Sequence, residues 1–185
     1  MATLIKPKSP TPPLRFLFAH PAHLVACGFG SGLSRFAPGT AGTLFAWATY
    51  PLLRLAYPGD ANMAVFLLFM FIFGVWVCHV TGRHLGVVDH GSIVWDEIVP
   101  FWAVLMFMPA ALLPSPHGGY FFSPVGLIWQ TAAFLSFRFY DIVKPPPANY
   151  FDNRVKNGFG VMMDDAVAAA YTVLTLALLK AVLPI

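Results

Sequence analysis

The chain has 185 residues, 58% of them hydrophobic, 16% aromatic and only 10% charged. Soluble domains carry roughly 25% charged residues, so too little charge is present to cover a water-facing surface, and a membrane protein is expected. A formal net charge of +3 is too weak to suggest a nucleic-acid partner, and two cysteines without a CxxC spacing exclude a disulfide framework.

Residues 1–20 are Pro-rich and basic. They lack the continuous apolar stretch and small-residue cleavage site of a signal peptide, and read as a flexible cytoplasmic tail ahead of one membrane domain, 21–185. Cys27 and Cys78 read as packing residues; Arg83 lies one position short of a Cys-x5-Arg phosphatase spacing from Cys78. The stretch "GFGSGLSRFAPGTAGT" at 28–43 is rich in glycine and contains no acid. Glycine lets backbone approach a ligand, and successive amides can cradle an oxyanion. No Gly-Lys-Ser/Thr follows, so this is not a P-loop. Close helix packing by small residues is the alternative reading.

Five apolar segments follow, at 40–57, 61–80, 98–113, 120–137 and 166–183. A spanning helix needs about 20 residues, which leaves the third short. Arg54 burdens the first unless it snorkels to an interface. The expected fold class is all-α, a polytopic membrane domain of about five membrane-associated helices. With a cytoplasmic N-terminus and five crossings, the external loops 57–61 and 114–119 contain one formal charge, Asp60. Nine of the eleven basic residues and seven of the eight acids then share the other face, as the positive-inside rule requires of the bases.

Between the second and third segments lies "DHGSIVWDE", 89–97. A helix there places Asp96 and Glu97 on adjacent faces, with Asp89 about two turns earlier and able to reach the same side. Grouped carboxylates repel unless a cation binds them, and hard oxygen ligands suit Mg²⁺. His90 could act as a base or support the site, although a lone histidine is more often structural. Between the fourth and fifth segments, Arg138, Asp141 and Lys144 recur at i, i+3, i+6 and share a strip of one helix, which Pro145–Pro147 stop. Asp152, Arg154 and Lys156 follow, then Gly158 and Gly160, with Asp164 and Asp165 expected in the first turn of the last segment. Such charges commonly form surface ion pairs, but mixed bases and carboxylates also suit a phosphate held beside a metal.

Together, "GFGSGLSRFAPGTAGT", "DHGSIVWDE" and "FRFYDIVKPPP…FDNRVKNGFGVMMDD" resemble the bacterial phosphatidylglycerophosphatase A family over about residues 24–180. The resemblance implies an Mg²⁺-dependent phosphatase of the inner membrane, multi-pass, with its active site facing the cytoplasm. Its substrate would be a membrane phospholipid, phosphatidylglycerophosphate, converted to phosphatidylglycerol. Two departures stand out: Pro146 replaces the tryptophan of a usual Lys-Pro-Trp-Pro, and Arg35 follows Ser34 where proline is common. Neither removes a carboxylate.

Combining resemblance and residue chemistry, Asp96, Glu97, Asp164 and Asp165 are the leading expected metal ligands, then Asp89 and Asp141. Lys144, Arg154 and Lys156 would neutralise phosphate, with Arg138 orienting Asp141 and His90 a candidate base. Gly30, Gly32, Ser34 and Thr40 would contact substrate as oxyanion donors. Water is the expected nucleophile, and an aspartyl-phosphate route stays open. Two alternatives stand beside this reading. A small membrane carrier or scaffold would place ionisable residues within its helices. Another headgroup phosphotransferase is the other, but the Asp-x2-Asp-Gly-x2-Ala-Arg pattern of CDP-alcohol phosphotransferases is absent. No obligate protein partner is evident.

Overall fold

The computed structural model describes residues 10–108 and 121–183, and among these the only regular elements are helices. Two short ones come first, α1 (Arg15–Ala19) and α2 (Pro21–Ala26). Pro21 supplies the fixed φ of a first helical residue, and the His20 ring accepts from the Ala22 amide. The flexible tail expected over 1–20 therefore does not extend through Arg15–Ala19. Leu17 is buried and Phe16 stacks on His23 at 4.0 Å between ring centroids, so apolar contact holds this part down. Residues 1–9 lie outside the described residues.

A 3-10 segment, Gly28–Leu33, leads to α3 (Pro38–Ala56), α4 (Asp60–Leu85) and α5 (Trp95–Met106). Gly86 ends α4 in the left-handed region at φ 72°, and the Val87 amide turns back to the Gly82 carbonyl, the usual glycine stop. Next come α6 (Pro124–Val143), α7 (Ala148–Arg154) and α8 (Gly158–Val182). Ser123 caps α6 by accepting from the Gly126 amide. Asn157 caps α8 by accepting from Phe159 and Gly160.

Each of the five apolar segments falls largely in a helix, apart from the part of the third that lies outside the described residues. The short α5 is the centre. Trp95, Ile98, Val99, Phe101, Trp102, Val104 and Leu105 are all buried, as befits a helix that is apolar on every side beyond Glu97. It packs on α3, α4 and α8, and less closely on α6. Among the described residues two helices, α4 and α8, are long and apolar enough to cross a membrane. The 26 residues of α4 reach about 39 Å, more than a ~30 Å hydrocarbon layer. Both expose large apolar side chains, including Leu68, Phe69, Ile72, Leu174 and Leu178. This outward apolar surface has lipid as its natural solvent, and the chain is a membrane protein.

One boundary differs from expectation. Asp164 and Asp165 were expected in the first turn of the last helix, but α8 starts at Gly158 and places them in its second and third turns. The two glycines, expected to precede the helix, lie inside it because their missing side chains permit close approach. A Cβ at Gly158 would collide with the Val75 carbonyl of α4 and lie 2.8 Å from the His79 amide nitrogen. Gly158→Ala is therefore expected to destabilise the protein by about 1–3 kcal/mol, the usual range for overpacking. A drop in thermal midpoint in detergent, absent in Gly59→Ala, checks this; the added carbon at Gly59 would meet only Asn62, at 3.6 Å.

Candidate active site

One end of the bundle gathers the start of α3, the 86–94 loop, the start of α5, the end of α6 and the first turns of α8. Between them lies a cavity of about 290 Å³. Asp89, Asp96 and Glu97 line it from the loop and α5, Arg138, Asp141 and Lys144 from the end of α6, and Asp164 and Asp165 from α8. Ala37, Pro38 and Gly39 close the α3 side.

The local folding explains the convergence. The Val94 amide bonds to the Ala26 carbonyl at 2.9 Å, which fixes where α5 begins. Asp96 and Glu97 then fall in its first turn, where the helix dipole favours negative charge. On α6, Arg138 and Asp141 are an i,i+3 pair with Nη1 2.7 Å from Asp141 Oδ2. The same nitrogen is 3.0 Å from Glu97 Oε1, so one guanidinium ties α6 to α5. These are close charge contacts rather than well-aligned hydrogen bonds, since Nη1 has no partner in favourable hydrogen-bond geometry. Lys144 stops α6 in a left-handed conformation, φ 48°, which brings its ammonium between Asp152 Oδ1 at 3.0 Å and Asp164 Oδ2. Burial alone would lower the Lys144 pKa, but Asp164 and then Asp89 and Asp165 outweigh it and hold the pKa above its ordinary range. Lys144 is therefore charged at neutral pH.

Six carboxylates thus face two cations, a formal excess of negative charge in a confined space. Asp96 Oδ1 and Glu97 Oε2 are buried without a hydrogen-bond partner. Buried polar atoms are nearly always paired, so these two oxygens are available to a ligand. Among the described residues no three His, Cys, Asp or Glu side chains stand at closed metal-ligating spacing. The carboxylates are assembled around a space and do not already converge on a point.

All six carboxylates singled out in the sequence reach the cavity, as do Arg138 and Lys144. The remaining expected site residues do not line it. Lys156 lines a small adjoining cleft with Asp152, Asp89 and Asp164, and its ammonium donates to the Asp152 carbonyl. Arg154 is exposed on α7. His90 is buried, and its Nδ1 accepts from the Ser92 amide at 3.1 Å. Burial pushes the His90 pKa down, partly opposed by the Pro10 carbonyl and Asp89, consistent with a neutral ring supporting the turn. Ser34 donates to the Phe36 carbonyl at 2.7 Å. A Cβ at Gly32 would strike the Ser92 carbonyl, whereas one at Gly30 would meet only Leu17, at 3.7 Å. Neither these glycines nor Ser34 nor Thr40 lines the cavity. The glycine-rich stretch packs beneath the site, and its contribution to the cavity wall is the Ala37–Gly39 corner. Asp152 is the residue that the site assignment missed. It stands eight positions from Lys144 across a proline turn, and no helical periodicity links the two.

A carboxylate-rich cavity with two half-buried cations, at one end of a lipid-facing helical bundle, defines a membrane protein built to handle a charged group. The phosphatidylglycerophosphatase A family model matches residues 24–180, and the chain belongs to this family of lipid phosphatases. It is 43% identical to a Haemophilus influenzae phosphatidylglycerophosphatase A over 84% of this chain and 86% of that protein. It is 40% identical to the phosphatidylglycerophosphatase A of Escherichia coli, over 83% and 80% of the two chains. A Bacteroides thetaiotaomicron relative, provisionally named a phosphatidylinositol-3-phosphatase, is 35% identical over 85% of this chain and 92% of its own. No solved structure matches the chain.

The Gly39 contact yields a test that changes no charge. A Cβ there would clash with Glu97 Oε1 and lie 2.7 Å from Glu97 Cδ. Gly39→Ala is expected to lower phosphate release about a hundredfold, the scale of an ångström-sized misplacement. Thr40→Ala, one residue along but outside the cavity, is expected to remain within about threefold of wild type, since it removes no group from the site.

Proposed function

We propose that this chain hydrolyses the terminal phosphomonoester of phosphatidylglycerophosphate, with water entering and phosphatidylglycerol and phosphate leaving. The observation that carries the reading is the cavity itself: six carboxylates against two cations, with a free oxygen on Asp96 and another on Glu97. A phosphate dianion would not enter such a field unaided. The site therefore fits a divalent cation, and hard carboxylate oxygens in a roomy, partly hydrated setting suit Mg²⁺. Asp96, Glu97, Asp164 and Asp165 would hold it, with Asp89 and Asp141 at the rim. When bound, the cation supplies Lewis-acid charge neutralisation and activation of water.

The chain's own groups divide the remaining work. Arg138 fixes Glu97 and Asp141 and keeps the two helix ends in register. Lys144 offers three N–H donors, two of them facing Asp152 and Asp164. The third can meet a phosphoryl oxygen. As water adds to phosphorus, the bond from phosphorus to the glycerol oxygen breaks, and that oxygen takes up a proton. We place the site on the cytoplasmic side of the inner membrane in a multi-pass arrangement, a reading supported by the concentration of basic residues at this end of the helices.

Exhaustive chelation is expected to abolish phosphate release and Mg²⁺ to restore it; full activity without a divalent cation would rule out the mechanism. Asp96→Asn and Asp165→Asn are each expected to lower turnover about a hundredfold or more, on the order of 3 kcal/mol. Asp60→Asn, at the other end of the bundle, is expected to be nearly silent. Added Mg²⁺ is expected to rescue Asp96→Asn in part and Lys144→Ala not at all, because the lysine acts on phosphate. For orientation, Asn153→Cys and Ala61→Cys occupy exposed positions at opposite ends. In intact cells an impermeant thiol reagent is expected to label the second and spare the first, while the buried native Cys27 and Cys78 stay unlabelled. The reverse labelling would overturn the cytoplasmic placement.

A further inference from the structure

A second hollow, of about 230 Å³, lies between α3 and α6. Its walls are Leu44 and Trp47 on one side and Leu127, Gln130, Thr131 and Phe134 on the other. Both helices pack on α5, but they are not among the closely packed pairs, so a furrow remains between them. It opens outward, with Leu44 51% and Leu127 39% exposed.

Its polar side chains are hydrogen-bonded within the protein. Trp47 Nε1 donates to Gln130 Oε1 at 2.6 Å, Gln130 Nε2 donates to the Phe121 carbonyl at 2.6 Å, and Thr131 Oγ1 donates to the Leu127 carbonyl at 2.7 Å. A ligand therefore meets an apolar surface with little demand for hydrogen bonds. The furrow also shares its walls with the active site. Gly39 at the cavity is eight residues before Trp47, and Arg138 is eight residues after Gln130. Both intervals are about 12 Å along an α-helix. The two walls thus descend in step from the cavity, and Leu44 and Phe134 lie between the two levels.

We propose that this furrow holds an acyl chain of the phospholipid substrate while its phosphomonoester occupies the carboxylate cavity. The proposal rests on the phosphatase reading above and extends it from the headgroup to the tails. The furrow's apolar lining suits an acyl chain. Its alignment with the cavity favours the tail of the molecule being hydrolysed over bulk lipid.

The test compares diacyl phosphatidylglycerophosphate in detergent micelles with its deacylated, water-soluble headgroup. Filling the furrow from either wall, with Leu44→Trp or Thr131→Trp, is expected to lower the ratio of kcat/KM on the diacyl over the deacylated substrate about tenfold. That is the scale of roughly two methylenes losing their burial. Ile128→Trp, exposed on α6 and outside the furrow, is expected to keep the wild-type ratio. An unchanged ratio in both filling variants would overturn the proposal, because bulk lipid or nothing would then occupy the furrow. Photocrosslinking of wild-type protein with a diazirine placed in the substrate's acyl chain does not depend on how the variants fold. Label within residues 44–47 and 127–134, competed by unlabelled diacyl substrate, is expected; label confined elsewhere overturns the proposal. Wild-type protein that releases phosphate from neither compound would overturn the phosphatase reading, and this proposal with it.

Discussion

The gathering of six carboxyl groups in one confined cavity is the constraint on which this structure depends. Two unit charges 4 Å apart interact by about 4 kcal/mol at an effective dielectric constant of 20. With only Arg138 and Lys144 as local counter-charges, the cavity's ion pairs cannot hold its shape alone. The fold adds a buried α5 that anchors Asp96 and Glu97, and the Arg138 guanidinium ties α5 to α6. Lys144 performs the same task on the other side, closing α6 onto α7 and α8 through Asp152 and Asp164. Removing either cation would therefore disturb the arrangement of the acids as well as the site's capacity for phosphate.

The membrane sharpens this constraint. Ionisable groups near hydrocarbon are expensive and are kept where protein or water can surround them. Asp164 and Asp165 are buried at 4% and 3% exposure, yet they sit on a helix long and apolar enough to cross a bilayer. Their protection comes from the helices packed around them, and that packing requires small residues. A Cβ at Gly74 would fall 2.7 Å from Met162, and one at Gly160 would strike the Val155 carbonyl. Close approach of α4, α7 and α8 at glycine is thus what allows a charged cavity to sit beside lipid-facing surfaces.

Much of this was legible in the sequence for a physical reason. Apolar segment length tracks helices directly, and acids are so scarce here that their clustering marks the site almost unaided. Arg138, Asp141 and Lys144 were readable because helical spacing puts them on one strip, and the proline run marked where that strip ends. The glycine-rich stretch was harder. Glycine signals close approach without saying to what, and here the neighbours are mostly protein: Gly32 meets the Ser92 carbonyl and Gly28 the side chains of Val94 and Ile98. Asp152 escaped assignment because its tie to Lys144 crosses a turn, where sequence separation does not predict distance. The start of α8 was misplaced because Gly158 and Gly160 were placed ahead of the last segment, whereas Asn157 caps the helix and the glycines pack within it.

The polar cavity and the apolar furrow would play unequal parts in catalysis. The acyl chains do not change between bound substrate and transition state, so a contact that grips the tail equally in both cannot by itself accelerate the chemical step. Its use is placement: it brings an amphiphile dissolved in the bilayer to a site at the end of the helices and restricts its approach. Discrimination must come from the phosphate end, where charge changes during the reaction. Lys144 and a bound cation would attract a phosphomonoester strongly. The neutral hydroxyl left on the lipid after hydrolysis offers them little, so the lipid product keeps only its phosphodiester and its tails as points of hold. That is a hold the surrounding bilayer can match, and exchange of product for fresh substrate then requires no large opening of the bundle.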